Sequence, residues 1–406
     1  MIVPSGWRVA ELGGIVRIAT GQVSPTESPY SGLLHVGPEN LRTAGGIMGE
    51  GLRPASELGL ISGKYAFDRK AILYSKIRPN LNKVGLPEFD GICSADMYPI
   101  WVRDPEILSR EYLYCVMTSE IFLDKATSRS FRTGIPKINR EDLLSISIQI
   151  PSIAEQQKIA AILHTWDEAR DGVERIHREK SAQLKSFRAS IFDPRFGLAA
   201  EWATIPLRSV SKRVTSKSKG SPHLVMTISA KTGFVSQASK YSRDMAGANV
   251  VNYTLLHRGE FAYNKGNSLT YPQGCIYQLQ EKSALVPNIY YSFKLAEKLN
   301  SSFYAHHFAA GGLNRQLAQR ISSGVRGNGL LNLSPTDFFE VQVPVPDRVT
   351  QDSVANLLDT ASRELALLDQ ELAFLRTQKQ GLMQKLLTGD VRVNVELDQD
   401  SGRDQQ

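Results

Sequence analysis

The stretch from Ile153 to Ile191 constrains this chain more than any other, because its apolar residues recur on a seven-residue grid. Ile159, Trp166, Val173 and Phe187 fall on one grid position, with Lys180 the exception. Ile162, Ala169 and Ile176 fall on a second, which steps by one to Leu184 and Ile191. No proline interrupts the run before Pro194. At 1.5 Å per residue, such a helix is roughly 60 Å long. That is too long for an ordinary globular helix, so it needs a partner.

The same chain supplies one. Adding 195 turns Ile159 into Val354, Trp166 into Ala361, Val173 into Leu368, Phe187 into Leu382 and Ile191 into Leu386. The second helix carries the cleaner seam, with Val354, Ala361, Leu368, Leu375 and Leu382 on one position and Leu358, Leu365, Leu372 and Leu386 on the other. The offset holds upstream too. Ile138, Asp142, Ile146, Ile148, Ile150 and Pro151 meet Leu333, Asp337, Val341, Val343, Val345 and Pro346. At the start of each half, Trp7, Leu12 and Ile15 meet Trp202, Leu207 and Val210. A period this long marks a tandem duplication rather than a solenoid. The expected plan is a globular part over 1–151, a helix over 152–200, a second globular part over 201–346, a second helix over 347–389, and a polar tail over 390–406 expected to be disordered.

Composition narrows the classes. No apolar run reaches the eighteen or so residues of a membrane span, and the opening MIVPSGWRVAEL does not resemble a signal peptide. Cys93, Cys115 and Cys275 are odd in number and far apart, so they read as buried small side chains in a reducing cytosol. The net charge of +7 is unevenly spread. Residues 1–151 carry 17 basic and 16 acidic side chains, whereas residues 201–346 carry 16 and 7. The basic excess of the second part fits nucleic acid or another acidic surface.

Local patterns fill in the halves. Glu111–Lys125 reads as one helix, and the alternation Ile146, Ile148, Ile150 as a half-buried strand ended by Pro151. Ser152 and Glu155 have capping-box spacing before the first long helix. Pro344 places its strand at an edge, and Gly389 is a stop signal for the second long helix.

Two loops stand out. Ile72-Leu-Tyr-Ser-Lys-Ile-Arg-Pro-Asn-Leu-Asn-Lys83 and Glu260-Phe-Ala-Tyr-Asn-Lys-Gly-Asn-Ser-Leu-Thr-Tyr271 each leave an apolar strand for a polar, basic loop, and Tyr74-Ser75-Lys76 matches Tyr263-Asn264-Lys265. Lys, Arg, Asn and Tyr bond phosphate oxygens, and Arg, Lys and Asn also read base edges. The candidates for DNA contact are therefore Lys76, Arg78, Asn80 and Lys83 in the first half, and Tyr263, Asn264, Lys265 and Tyr271 in the second. The plainer alternative is a solvated turn with a structural tyrosine.

No catalytic motif stands beside them. The chain has no G-x-x-x-x-G-K-[ST], G-x-S-x-G, H-E-x-x-H or Asn-Pro-Pro-aromatic pattern. His306 and His307 are adjacent and so diverge on a helix, which makes a poor chelate and a structural pair. The matched Asp142 and Asp337 read as turn or cap residues.

The chain resembles the specificity subunit of type I restriction-modification systems. The resemblance covers about residues 5–390. Its most specific parts are Pro151-Ser-Ile-Ala-Glu-Gln-Gln-Lys-Ile-Ala-Ala-Ile-Leu163 and Gly381-Leu-Met-Gln-Lys-Leu-Leu-Thr-Gly389. The Leu73–Lys83 and Phe261–Tyr271 runs and Asn332-Leu-Ser-Pro-Thr-Asp337 look like the family's recognition motifs. One departure is that Asp347-Arg-Val-Thr-Gln351 lacks the Glu-Gln-Gln of the first copy. The resemblance implies an α+β chain of two duplicated α/β target-recognition domains joined by two long antiparallel coiled-coil helices. It implies a cytoplasmic, non-catalytic subunit. Each domain reads one half of a split, asymmetric site in double-stranded DNA. The helices set the spacing and dock two methyltransferase subunits. Two motor-nuclease subunits join them, and S-adenosylmethionine, ATP and magnesium belong to these partners rather than to this chain. The residues leave two other readings open: a coiled-coil scaffold whose globular ends bind protein, and an enzyme with an unfamiliar site.

Overall fold

The structure is a computed structural model that describes residues 3–130, 136–195, 197–218, 223–230, 232–237, 250, 252–266, 271–321 and 330–394. The tail beyond residue 394, expected to be polar and disordered, lies outside the described residues, as do residues 267–270 of the second loop. The chain forms two compact units, one of residues 1–174 with 370–406 and one of residues 175–369.

In the first unit the chain runs through β1 (Arg8–Glu11), α1 (Leu12–Ile15), β2 (Val16–Ile18), β3 (Leu34–Val36), β4 (Arg53–Pro54), β5 (Tyr65–Phe67), β6 (Ile72–Ser75), β7 (Val84–Gly85), β8 (Gly91–Cys93), β9 (Met97–Val102), α2 (Arg110–Thr118), α3 (Glu120–Ser128), α4 (Arg140–Leu144) and β10 (Ser147–Ile150). Then α5 (Ile153–Ile191) begins. The strands form one sheet of order β2-β9-β6-β7, a second of order β4-β3-β8-β5, and the pair β1-β10. Among the described residues of this unit, only β3 and β8 are parallel neighbours.

The second unit repeats this plan with β11 (Thr204–Pro206), α6 (Leu207–Val210), β12 (Ser211–Arg213), β13 (Leu224–Ser229), β14 (Gly233–Ser236), β15 (Thr254–His257), β16 (Phe261–Asn264), β17 (Cys275–Gln278), β18 (Ser283–Val286), β19 (Tyr291–Leu295), α7 (Ser301–Ala309), α8 (Asn314–Arg320), α9 (Pro335–Phe339) and β20 (Gln342–Pro344). Its sheets are β12-β19-β16-β17 and β14-β13-β18-β15, with the pair β11-β20, and β13 and β18 are the parallel neighbours. Strand for strand, the order is that of the first unit. The duplication read from the sequence is thus a duplication of topology.

The helix expected over Glu111–Lys125 is two helices. Ser119 ends α2 in an extended conformation, and its hydroxyl accepts from Phe122 N, so the same residue caps α3. The capping box at Ser152 is half formed. Glu155 N donates to Ser152 Oγ at 3.3 Å, but the Glu155 carboxylate turns away to accept from Trp7 Nε1 at 3.2 Å and Arg392 Nε at 2.6 Å.

Each unit seats its own helix segments in its own core. In the first, Ile159 and Leu163 of α5 and Met383, Leu386 and Leu387 of α10 (Arg348–Thr388) pack with Trp7, Leu12, Tyr112 and Ile150. In the second, Val354 and Leu358 of α10 and Leu184 and Phe192 at the end of α5 pack with Phe261, Phe293, Tyr304 and Val343. The segments run antiparallel within each unit. Asp167 meets Lys379 and Glu174 meets Arg376 in the first, while His177 meets Asp369 and Lys180 meets Glu364 in the second. Gly389, at φ +75°, ends α10 in the left-handed conformation that glycine tolerates best.

The seam of α10 follows the sequence reading. Val354, Leu358 and Leu372 are buried, and Ala361, Leu365, Leu368, Leu375 and Leu382 are half-buried. The seam of α5 needs correction. Ile159 is buried and Trp166 and Val173 are half-buried, but Phe187 is 45 % exposed, and Ala169 and Ile176 also face outward. The second inward line is Leu163, Arg170, His177, Leu184 and Ile191, a strict heptad with two polar members. Arg170 sits inward because it pairs with Asp167, Asp171 and Glu174, and His177 because it reaches Asp369. Apolarity alone drew the line one residue early.

All three cysteines are buried. No described helix is long and apolar enough to cross a membrane.

Candidate nucleic-acid interface

The loop after β6 begins where the strand stops pairing with β9. Ser75 lies opposite Met97 at the end of that ladder. Two backbone bonds then fasten the loop to the segment before α4: Ile138 N donates to Lys76 O at 3.0 Å, and Arg78 N donates to Pro136 O at 2.8 Å. Ile77 bridges Lys137. Lys76 is half-buried with its Nζ 5.4 Å from the centre of the Tyr98 ring, and Arg140 lies 5.5 Å from the same ring. Burial lowers the Lys76 pKa below the ordinary lysine value. The like charges of Lys137 and Arg140 push the same way, against the opposing pulls of Asp96 and Cys93.

Arg78 and Asn80 are exposed, and Arg78 has a left-handed backbone at φ 49°, unusual for a side chain with a Cβ. The loop then splits the four candidates. Lys76 stays with Lys137, Arg140 and Tyr98. Asn80 and Lys83 line a separate groove with Arg42, Thr118, Glu120, Trp166 and Lys379. In it, Lys83 Nζ donates to Pro38 O, and the neighbouring Asn82 Nδ2 donates to Thr118 O at 2.8 Å. Lys83 is therefore tied to the backbone at Pro38.

The second unit repeats the anchoring. Leu331 N donates to Lys265 O at 2.9 Å, and Gly266 bridges Leu330. Lys265 Nζ lies 5.2 Å from the centre of the Tyr291 ring, matching Lys76 over Tyr98. Tyr98 on β9 and Tyr291 on β19 occupy equivalent strands, opposite Tyr74 and Tyr263 respectively. A cation over an aromatic face is worth about 0.5–1 kcal/mol at a partly exposed site, so each tyrosine holds its lysine in place. The surroundings differ. Positions 332 and 335, equivalent to Lys137 and Arg140, are Asn332 and Pro335.

Three candidates of the second loop serve the fold. Tyr263 is 0 % exposed, its ring stacks on Phe338 at 4.6 Å, and its hydroxyl donates to Gln273 O at 2.8 Å. Burial also raises the Tyr263 pKa. The expectation that Tyr263 meets DNA is thereby corrected, since ring and hydroxyl are both spent inside the core. Asn264 Oδ1 accepts from Gly266 N at 3.0 Å and shapes the turn. Tyr271 is half-buried against the core of β13, β15 and β18 and bonds Tyr277. Lys265 is the candidate left, half-buried with its Nζ donating to the Tyr291 hydroxyl at 3.4 Å.

Sequence reasoning missed Arg17, Arg103, Lys137 and Arg140. Arg17 lies directly opposite Trp101 in the β2–β9 ladder, with its guanidinium 4.0 Å from the indole centre. Arg17, Arg103 and Arg140 line one cleft of about 480 Å³ with Trp101, and no acidic side chain lines it. The alternation Val16, Arg17, Ile18 on β2 does put Arg17 on the outer face. Its meeting with residue 101 depends on a strand pairing that no local pattern reveals.

Among the described residues, the paired histidines and the matched acids are engaged within the fold. His306 Nε2 bonds Asp359 at 2.8 Å, and Ser302 bonds the same carboxylate at 2.6 Å, so serine and histidine compete for one acceptor instead of forming a relay. His307 is buried beside Phe192, 5.2 Å between ring centres, and burial lowers its pKa to about 4. Asp142 and Asp337 each donate a backbone N–H to a helix-capping side chain, Asn139 and Ser334. Among the described residues no group of three or more His, Cys, Asp or Glu is placed to hold a metal.

Residues 4–185 match the type I restriction modification DNA specificity domain. The type I restriction enzyme EcoDI specificity subunit of Escherichia coli is 32 % identical over 202 residues, which is 49 % of this chain and 44 % of that protein. The chain thus matches less than half the length of that relative. Two solved structures share the fold. One, described as the structural basis underlying complex assembly and conformational transition of the type I R-M system, has a TM-score of 0.58 at 16 % identity, over 96 % of this chain and 100 % of that one. The other, the type I restriction-modification S subunit of M. genitalium, has a TM-score of 0.55 at 15 % identity, over 94 % of this chain and 96 % of that one.

Proposed function

We propose that this chain, whose residues 4–185 match the type I restriction modification DNA specificity domain, is the DNA-reading subunit of a type I restriction-modification complex and carries no catalytic site of its own. The observation that carries the reading is the duplicated anchor. Two units of one topology each hold a lysine over an aromatic ring, Lys76 over Tyr98 and Lys265 over Tyr291, at the foot of a basic loop. Two similar readers suit a DNA site made of two different halves. On this reading residues 1–151 recognise one half and residues 201–346 the other, while the two long helices set the spacing between half-sites.

The helices also dock two methyltransferase subunits. The exposure of Leu357, Leu367 and Phe374 on α10, at 53 %, 63 % and 60 %, supports a protein partner there. S-adenosylmethionine belongs to those partners, and ATP and magnesium to two motor-nuclease subunits. The complex works in the cytoplasm.

The deciding experiment expresses the chain with its methyltransferase subunits and maps methylated adenines across a genome. A single split, asymmetric motif is the expected result. Exchanging residues 1–151 for those of another family member then changes one half of that motif and leaves the other half alone. Joint change of both halves, or no motif at all, overturns the reading.

A further inference from the structure

Charge totals point to the second unit as the basic one, since residues 1–151 are nearly balanced at 17 basic and 16 acidic side chains. The fold redistributes them. Lys137 is exposed and bridges Ile77 next to Lys76. Lys76 and Arg140 share the face of Tyr98. Arg140 lines the cleft that also holds Arg17 and Arg103, and Arg17 covers Trp101. Five cations therefore follow one another around the β2 edge of the sheet, with Arg140 between the two groups: Tyr98 floors Lys76 and Arg140 on one face of β9, and Trp101 floors Arg17 on the other. None of the five has a carboxylate within ion-pair distance among the described residues; Asp96 is the one carboxylate that bears on Lys76.

The floor is built as well as the cations. Trp101 Nε1 donates to Asp68 at 2.7 Å, which fixes the indole, and Arg140 donates to Ile18 O at 3.1 Å and Ala19 O at 2.6 Å, which fixes the guanidinium on the carbonyls of β2 and the residue after it. Like charges held together without counter-ions repel, and an anion laid along them relieves that repulsion.

We propose that Lys137, Lys76, Arg140, Arg17 and Arg103 form a track that holds consecutive phosphates of one strand of duplex DNA and so fixes the first reader in register on the double helix. The proposal rests on the DNA-reading function above and names the residues that position the duplex without reading bases. Contacts of this kind add affinity for every sequence alike and make it salt-dependent.

The test uses the full chain assembled with its methyltransferase subunits, and titrates fluorescent duplexes with and without the recognised site at several salt concentrations. Arg17→Gln and Lys137→Gln remove two exposed cations. The double variant is expected to lower the slope of log affinity against log salt by about two units and to weaken both duplexes equally. Arg17→Lys with Lys137→Arg keeps the charges and is expected to keep the slope, while Arg8→Gln with Arg53→Gln removes as much charge from other strands and leaves the slope unchanged. A wild-type slope in the Arg17→Gln, Lys137→Gln variant, or an equal fall in the Arg8→Gln, Arg53→Gln control, overturns the track while the DNA-reading function stands. A wild-type complex without salt-dependent affinity for any duplex overturns that function and the track together.

Discussion

Gln156 and Gln351 are 195 positions apart in sequence and do the same work in the two units. The Gln156 amide oxygen accepts from Ser109 N at 2.8 Å and its NH2 donates to Pro151 O at 3.0 Å. The Gln351 amide accepts from Asn300 N at 2.9 Å and donates to Pro346 O at 2.8 Å. Ser109 and Asn300 are the caps of α2 and α7, so each glutamine ties the start of a long helix to the start of a domain helix. Of the Glu-Gln-Gln motif that the second copy lacks, its middle member is the one both copies keep.

Gln156 is 0 % exposed and Gln351 is 1 % exposed. Gln156→Leu leaves the Ser109 N–H buried without a partner, and a buried unpaired donor costs about 1–3 kcal/mol. Gln351→Leu costs a similar amount in the second unit. Denaturant unfolding of each variant measures both, and a loss below about 0.5 kcal/mol in either would count against the tie.

Asp167 and Lys379 are 19 % and 13 % exposed at 2.6 Å, with Arg170 also on Asp167. Removing one partner of such a pair strands the other charge, so Asp167→Ala is expected to destabilise the first unit by about 1–3 kcal/mol. Replacing both, as Asp167→Leu with Lys379→Leu, is expected to restore most of that loss, because neither charge of the pair is then stranded and Arg170 keeps Asp171 and Glu174. A double-mutant cycle read by thermal unfolding checks the coupling, and strict additivity would refute it.

The two inward lines of α5 give a sharper contrast. Leu184 is 8 % exposed and belongs to the second core, whereas Phe187 is 45 % exposed. Leu184→Ala is expected to cost about 2–3 kcal/mol by leaving a cavity, and Phe187→Ser less than about 1 kcal/mol. Equal losses in a denaturant titration would return Phe187 to the seam.

Much of the fold was legible because a 195-residue period repeats every constraint, and the leucine-rich seam of α10 needed no correction. The seam of α5 was harder, since two of its inward positions are Arg170 and His177, which stay inward only through their acidic partners. An apolar pattern cannot report a line held by ion pairs. The candidate site was legible in part for a similar reason. Lys76 and Lys265 stand in matched loops, but Tyr263 looked like a loop residue until its ring met Phe338, and Arg17 joins the site through a strand 84 positions away.

Lys265 invites a direct comparison with Lys76. Each lies over a tyrosine, but only Lys76 has Lys137 and Arg140 beside it. Lys265→Ala and Lys76→Ala are each expected to weaken binding to all duplexes and to lower the salt slope by about one unit. An unchanged slope for Lys265→Ala would reduce that lysine to a solvated side chain.

His307 sets a pH dependence. Its folded pKa, about 4, lies below the ordinary histidine value of 6.5, because burial disfavours the imidazolium. The unfolded chain therefore binds the proton first, and the neutral ring's contribution, fully present above about pH 6.5, is lost as pH falls toward 4. His307→Leu is expected to flatten the fall of the unfolding midpoint between pH 6.5 and 4.5. His306, whose pKa burial also lowers, leaves a residual slope. An unchanged acid limb in the variant would exclude His307 as its source.

The salt bridge from Arg392 to Glu155, 2.6 Å long, with the Arg392 guanidinium 5.7 Å from the Trp7 ring, has a consequence for the order in which a ribosome's product can mature. The first unit is assembled from residues 1–174 and 370–406, so its core stays open until Met383, Leu386 and Leu387 have been made. The second unit is one continuous stretch and has all its parts by residue 369. Domains generally fold as they emerge, first to last. Here the domain translated second is the first that can close, and the half that leads out of the exit tunnel waits, with part of its core uncovered, for the residues translated last.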